Sequence, residues 1–333
     1  MNYIGSKHKL AGFIRSTVEE VMGLDLTGKV FCDLFAGTGI VGRSFKPLVK
    51  KVLANDIEYY SYALLKNYIG NNRELNFKER IEELNNLPGR EGFIFKHYAE
   101  GGEEGRLYFS AENARKIDAA RIKLEDWRET SVIEEDLYYF LLASVIESAD
   151  KVANTASVYG AYLKKLKPSA IKDLQILPAH FEIAGDGHKV YREDANDLIE
   201  RIEGDILYLD PPYNARQYGA NYHLLNTIAK YDTFVPKGKT GLRDYYKSSY
   251  CRTGEVRDSF ENLIRSANFS YIFLSYNNEG LMPAEEIKKI MQQYGKYDLV
   301  TKDYQRFKAD KTENRNHTAT ATTEYLHILE KNQ

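Results

Sequence analysis

Three observations predict an open α/β fold interrupted by a mainly helical insert. Short apolar runs end in a glycine turn or an acidic residue, helical periodicity takes over between residues 71 and 189, and strand-like runs return afterwards. The first run, Lys29-Val30-Phe31-Cys32-Asp33-Leu34, leads into Phe35-Ala36-Gly37-Thr38-Gly39, and Ile40 to Leu48 has the spacing of a helix closed by Lys50 and Lys51. Val52-Leu53-Ala54-Asn55 is a second strand ending in Asp56, and Tyr59 to Tyr68 is a following helix. Strand, helix and strand in that order default to parallel strands joined by a right-handed crossover. Within the insert the longest helical candidates are Ala111 to Trp127 and Asp136 to Ala153, with the glycine-rich loop Glu100 to Gly105 among them. Strand signals resume at His188 to Arg192, Asp205 to Leu209, Ser270 to Ser275 and Glu324 to Leu329. The expected division is an α/β part over residues 1–70 and 190–333 and a helical insert over 71–189.

Composition narrows the function classes. A chain of 333 residues with 43% hydrophobic and 28% charged residues has room for a catalytic domain with a sizeable insertion. No apolar run approaches the roughly 18 residues that span a bilayer, and the start of the chain lacks an export signal, so a cytoplasmic protein is expected. The net charge of -2 argues against indiscriminate coating of nucleic acid but leaves room for a local basic cleft. Cys32 and Cys251 lack the paired spacing of a zinc site, so no metal is expected, and Cys32 reads as a small core residue.

Two motifs carry chemistry. In Asp33 to Gly39 the glycines let the backbone turn sharply from strand to helix and approach a ligand closely. A dinucleotide-binding fold has a similar turn, and Asp56 meets its demand for an acid to hold ribose hydroxyls, so a nicotinamide enzyme is one alternative. Against it, the G-x-G-x-x-G spacing is missing, and Asp33 would repel a phosphate but attract an ammonium. A sulfonium amino-acid nucleoside without phosphate fits better. The second motif, Asp210-Pro211-Pro212-Tyr213, directly follows the apolar strand Ile206 to Leu209. Two prolines remove two backbone donors, leaving an acceptor-rich rim at a strand's carboxyl end, where ligands of open α/β sheets bind. The Asp210 carboxylate and a proline carbonyl could draw the delocalised lone pair of an aromatic amine toward tetrahedral geometry, with Tyr213 stacked on the base.

These residues resemble the alpha class of DNA adenine-N6 methyltransferases, the Dam-like family. Tyr3-Ile4-Gly5-Ser6-Lys7-His8-Lys9-Leu10 is similar to that family's N-terminal motif, which implies that Tyr3 and Lys7 contact S-adenosylmethionine. Asp33, Phe35, Gly37 and Gly39 fall in its glycine turn, Asp56 matches the acid for the ribose hydroxyls, and Asp194 in Glu193-Asp194-Ala195 matches the acid for the cofactor's adenine. Asp210, Pro211, Pro212 and Tyr213 match its catalytic motif, with Asp210 also beside the cofactor. The resemblance implies a Rossmann-like S-adenosylmethionine-dependent methyltransferase fold with the insert as target-recognition region. It also implies double-stranded DNA as substrate and, as an expected partner, a cognate restriction endonuclease acting on the same site. The long insert and the block from Asn214 to Gly241 resemble a restriction-modification branch rather than maintenance enzymes.

Three basic stretches are candidates for phosphate contacts. Lys151 to Lys172 includes Tyr159 and Tyr162, Lys237 to Arg257 includes Tyr245, Tyr246 and Tyr250, and a third runs from Arg306 to His317. Arg216, Lys239 and Arg306 are the candidate DNA-binding cations among them and in the loop after the catalytic motif. Tyr276, after the strand ending at Ser275, is a candidate second aromatic wall for the base, with plain packing as the alternative. His223 invites a general-base role, but a helical histidine facing the core or its rim is the better reading, since N6 can lose its proton after transfer. The same motifs also admit a cytosine-N4 methyltransferase, which usually carries Ser at position 210, and an RNA adenine methyltransferase, which tends to carry Asn there. A non-catalytic DNA-binding module is the reading from outside the enzymes.

Overall fold

The computed structural model describes residues 7–305 and 321–332. Among these the chain forms two compact units, one made of 7–57, 184–217, 246–305 and 321–332, the other of 58–183 and 218–245.

The first unit is built on a sheet of β1 (Val30–Asp33), β2 (Lys51–Asn55), β3 (Lys189–Tyr191), β4 (Glu203–Leu209), β5 (Asn268–Asn277), β6 (Gly295–Gln305) and β7 (Ala321–Lys331). Their order across the sheet is β3-β2-β1-β4-β5-β7-β6. The first five are parallel, and β7 runs antiparallel to both neighbours. β1, β2 and the second half of β4 are buried on both faces, which is why they read as continuous apolar runs rather than as alternating ones. β6, by contrast, has no strand signal in its residues. It lies at the sheet's edge, and its Lys296, Asp298 and Lys302 are the charges with which edge strands avoid pairing with other chains. The helices Val256–Ser266 and Ala284–Met291 bury Phe260, Leu263 and Ile264, and Ile287, Ile290 and Met291, in one core with Leu207, Leu209, Ile272 and Leu274.

The second unit is helical. Its longest helices, Ala111–Glu129 and Glu135–Val152, match the periodicity of the sequence. Asp118, fully buried, accepts the main-chain N–H groups of Gly92, Ile94 and Phe95 and so closes the start of the helix Phe93–Tyr98. Arg121, also fully buried, donates to the carbonyls of Ile228 and Ala229 near the end of the helix His223–Lys230. The helix Tyr59–Leu65 and the block 218–245 fall in this unit, not in the α/β part that residues 1–70 and 190–333 were expected to form. Tyr60, Ala63 and Leu64, together with Leu224, Leu225 and Ile228, feed the helical core, and periodicity shows that a helix has an apolar face without showing which core it meets. Among the described residues no helix is long and apolar enough to cross a membrane.

Candidate active site

Parallel strands place their carboxyl ends along one edge of the sheet, and acids stand at or just beyond four of those ends. Asp33 ends β1, Asp56 follows β2, Asp194 lies three residues past β3, and Asp210 follows β4. Register brings the first and last together, since Asp33 is paired with Tyr208, two residues before Asp210. Asn55 ties this edge, its side-chain amide bonding to Leu34 O and Glu193 O at 3.1 Å and accepting from Glu193 N at 3.0 Å.

The turn after β1 folds as its glycines require. Gly37 and Gly39 adopt φ of 54° and 77°, in the left-handed region that side chains disfavour. Gly37 N donates to Asp56 at 2.8 Å, and Gly42 N donates to Asp33 Oδ2 at 2.9 Å. The other Asp33 oxygen is buried with no partner among the described residues. Burial, reinforced by the charges of Asp210 and Asp56 and opposed by the Gly42 N–H, pushes the Asp33 carboxyl up to about 7. Phe35 meets Tyr250 edge-on at 5.1 Å between ring centroids.

At β4 the turn Asp210 to Tyr213 is held by an ionic group that sequence reasoning found only in part. Lys7 Nζ lies 3.0 Å from Asp210 and 2.9 Å from Glu324, and Lys7 and Glu324 are both buried. Burial works against the Lys7 charge, but the two carboxylates outweigh it and raise its pKa well above the usual lysine value. Asp210 is raised to about 6 by burial, against the pull of Lys7 and with help from Glu324. Glu324 was missed because its run reads only as an apolar strand; the pairing of β7 with β5, Glu324 opposite Asn277, is what carries it to the edge. Tyr213 is partly buried, and its carbonyl accepts from Leu281 N at 2.9 Å.

The remaining sequence candidates fall as follows. Tyr276 is 2% exposed, stands edge-on to Tyr213 at 6.4 Å and packs so closely on Gly280 that it backs Tyr213 rather than offering a face of its own. Asp194 caps the helix Ala195–Ile199 through Asn196 N, and its other oxygen accepts from the Tyr246 hydroxyl. Arg216 is exposed on the loop after Tyr213, and Lys239 is exposed in the helical unit. His223 is fully buried in that helical unit, bonded to Tyr159 O, and burial lowers it to about 4. Tyr3, Arg306 and the stretch from Arg306 to His317 lie outside the described residues.

A sheet of this order with an acid row and an Asp-Pro-Pro-Tyr turn at its edge defines an S-adenosylmethionine-dependent methyltransferase. Residues 3–319 match the D12 class N6 adenine-specific DNA methyltransferases, and the chain belongs to that family. It is 63% identical over 332 residues to the type II methyltransferase M.NlaIII of Neisseria lactamica, covering 99% of both chains. It is 41% identical to the type II methyltransferase M.FokI of Planomicrobium okeanokoites, covering 99% of this chain and 53% of that longer one. Among solved structures, magnesium protoporphyrin IX methyltransferase from Synechocystis PCC 6803 with bound SAM aligns over 97% of this chain and 79% of its own, at 9% identity and a TM-score of 0.34. The chain therefore transfers a methyl group from S-adenosylmethionine to N6 of adenine in DNA. The residues present fit that cofactor: a buried carboxylate oxygen without a donor suits an ammonium, and a row of acids suits hydroxyls and amines while disfavouring phosphate.

Proposed function

We propose that this chain is the modification enzyme of a restriction-modification system, methylating adenine within one duplex sequence in the cytoplasm and so shielding it from an endonuclease that cuts the same sequence. The observation that carries the assignment of its catalytic residues is the Lys7, Asp210 and Glu324 group set against the Pro211-Pro212-Tyr213 turn. Relatives that are type II methyltransferases support the system-level reading.

In this reading Asp33 takes the cofactor's ammonium, Asp56 its ribose hydroxyls and Asp194 its adenine, with Tyr3, Lys7, Phe35, Gly37 and Gly39 completing the site. Asp194 receives the adenine amine once the Tyr246 hydroxyl gives up its oxygen. Bound S-adenosylmethionine supplies an electrophilic methyl group on a sulfonium. Tyr213 stacks on an adenine turned out of the duplex, with Tyr276 holding its ring from behind. Asp210 and a carbonyl of the Pro211-Pro212 turn accept the two N6 hydrogens and orient the lone pair toward the methyl. Lys7 keeps Asp210 ionised while the substrate binds, and Asp210 is basic enough to take the proton that N6 sheds afterwards. The helical unit reads the target sequence, and Arg216, Lys239 and Arg306 contact phosphates.

The test is to incubate the protein with mixed-sequence duplex DNA and labelled S-adenosylmethionine, digest to nucleosides, and map where the label falls. N6-methyladenine in one sequence context supports the proposal. Label spread over all adenines would sink the sequence-specific reading, and N4-methylcytosine would overturn the role given to Asp210.

A further inference from the structure

In the helical unit a short turn is anchored by a side chain that the reaction does not use. Lys237 and Leu242 exchange both main-chain hydrogen bonds at 2.8 Å, closing a turn over Gly238, Lys239, Thr240 and Gly241. Beneath it lies Arg106, 6% exposed. Its guanidinium donates to Gly238 O at 3.1 Å, to Lys239 O at 3.2 Å and to His97 O at 3.3 Å, with Glu104 at 3.4 Å balancing the charge. Tyr98 donates its hydroxyl proton to Gly241 O at 2.6 Å. Gly238 and Gly241 have φ of 66° and 70°, and a Cβ on Gly241 would stand 2.7 Å from the Tyr98 ring. An arginine buried against main-chain carbonyls inside the protein is not presented to DNA. What it determines is which way those peptides face.

A trans peptide directs its carbonyl and the next N–H to opposite sides, and the described backbone contains no cis bond. With Gly238 O and Lys239 O both drawn onto Arg106, the N–H groups of Lys239 and Thr240 face away from it. Neither has a hydrogen-bond partner among the described residues. Lys239 is exposed and is paired with no carboxylate there, whereas its neighbour Lys237 lies 2.7 Å from Asp244. Two adjacent outward N–H groups beside a free ammonium are a concavity for a tetrahedral anion.

We propose that this turn is a prebuilt phosphate site, in which the N–H groups of Lys239 and Thr240 and the Lys239 ammonium hold one phosphodiester of the DNA backbone while Arg106 and Tyr98 act as positioning residues. The proposal rests on the reading of Lys239 as a DNA contact and specifies how that contact is made. Such a contact fixes the register of the duplex and carries no sequence information itself. Holding the turn in advance means that binding does not have to order it.

The experiment is a binding titration of the whole protein against a duplex containing its mapped methylation sequence, followed over a range of salt. The duplex is then remade with a single neutral methylphosphonate at each backbone position in turn. For wild type, one position should weaken binding about tenfold and reduce the salt slope by about one. In Lys239→Ala and in Arg106→Gln the unmodified duplex should bind more weakly, and the same methylphosphonate should cost little more. For Arg106→Gln the KM for DNA should rise far more than kcat falls, and Arg106→Lys should not restore it, since an ammonium cannot span three carbonyls. If Arg106→Gln does not fold, the coupling between Lys239→Ala and the phosphate scan still decides. Variants that bind as wild type does, or that stay sensitive at every phosphate wild type senses, overturn the proposal. A protein that methylates its site with no phosphate coupled to Lys239 loses only this site; one that methylates no duplex loses the DNA reading first.

Discussion

Lys7 faces two carboxylates, so one negative charge in the group is left over, and the position of that charge governs Asp210. Glu324 raises the Asp210 pKa by repulsion, so Glu324→Gln should lower it and move the acidic limb of kcat/KM down by about one pH unit. A pH profile reads this shift, whereas a variant that merely loosened the fold would lower the rate at every pH. Asp210→Ala should abolish methyl transfer while largely sparing duplex binding, measured by product formation and by gel shift; a near-normal rate would refute its assigned role. Asp33 gives a further pH dependence. Its folded pKa of about 7 lies above the unfolded carboxyl value, so its contribution to stability is present at low pH and is lost as the pH rises toward 7. A docking ammonium favours the carboxylate. Cofactor affinity should therefore increase as the pH rises through about 7, with a proton released on binding, which calorimetry in two buffers of different ionisation enthalpy would detect. Asp33, Asp56 and Asp210 were legible in the sequence because each ends or follows a run that reads as a parallel strand, and such ends are neighbours in any open sheet, whereas Asp194 was reached only through the family resemblance. Glu324 was not, because an acid in an apolar edge-ward strand has no signature until β7 is paired.

At the scale of elements, the strands that position the site were readable, and β6 was not, since an exposed edge carries charge in place of an apolar pattern. The join between strands depends on Asn55, which is 2% exposed and bonds to both the turn after β1 and the segment after β3. Asn55→Ala leaves buried main-chain groups without partners and should cost about 2 kcal/mol. A lower denaturation midpoint at unchanged m would show it, together with weaker cofactor binding from the loosened turns. The helices Tyr59–Leu65 and His223–Lys230 illustrate the opposite limit. The apolar spacing of the first was visible in the sequence, yet membership of the helical core follows from partners such as Asn226, whose side-chain oxygen accepts the Tyr60 N–H at 3.0 Å.

At the scale of the molecule, two units with separate cores share one chain that passes between them repeatedly. A cofactor held at the sheet edge stabilises the native state by mass action, but the local openings it suppresses are those of the backbone it touches. Hydrogen exchange should therefore slow most at residues 33–39, 56, 193–194 and 210–213 when S-adenosylmethionine is added. Protection confined instead to the helices Ala111–Glu129 and Glu135–Val152 would place the cofactor elsewhere.

The Lys7 group joins the first described turn of the chain to β7, the last described strand. During translation Lys7 and Asp210 leave the ribosome long before Glu324 does, and β7 cannot enter the sheet between β5 and β6 until it clears the exit tunnel. A nascent chain thus carries the helical unit before the Lys7, Asp210 and Glu324 group is whole. A chain stalled ahead of Ala321 should therefore hold Lys7 and Asp210 without the Glu324 carboxylate that completes the ion group.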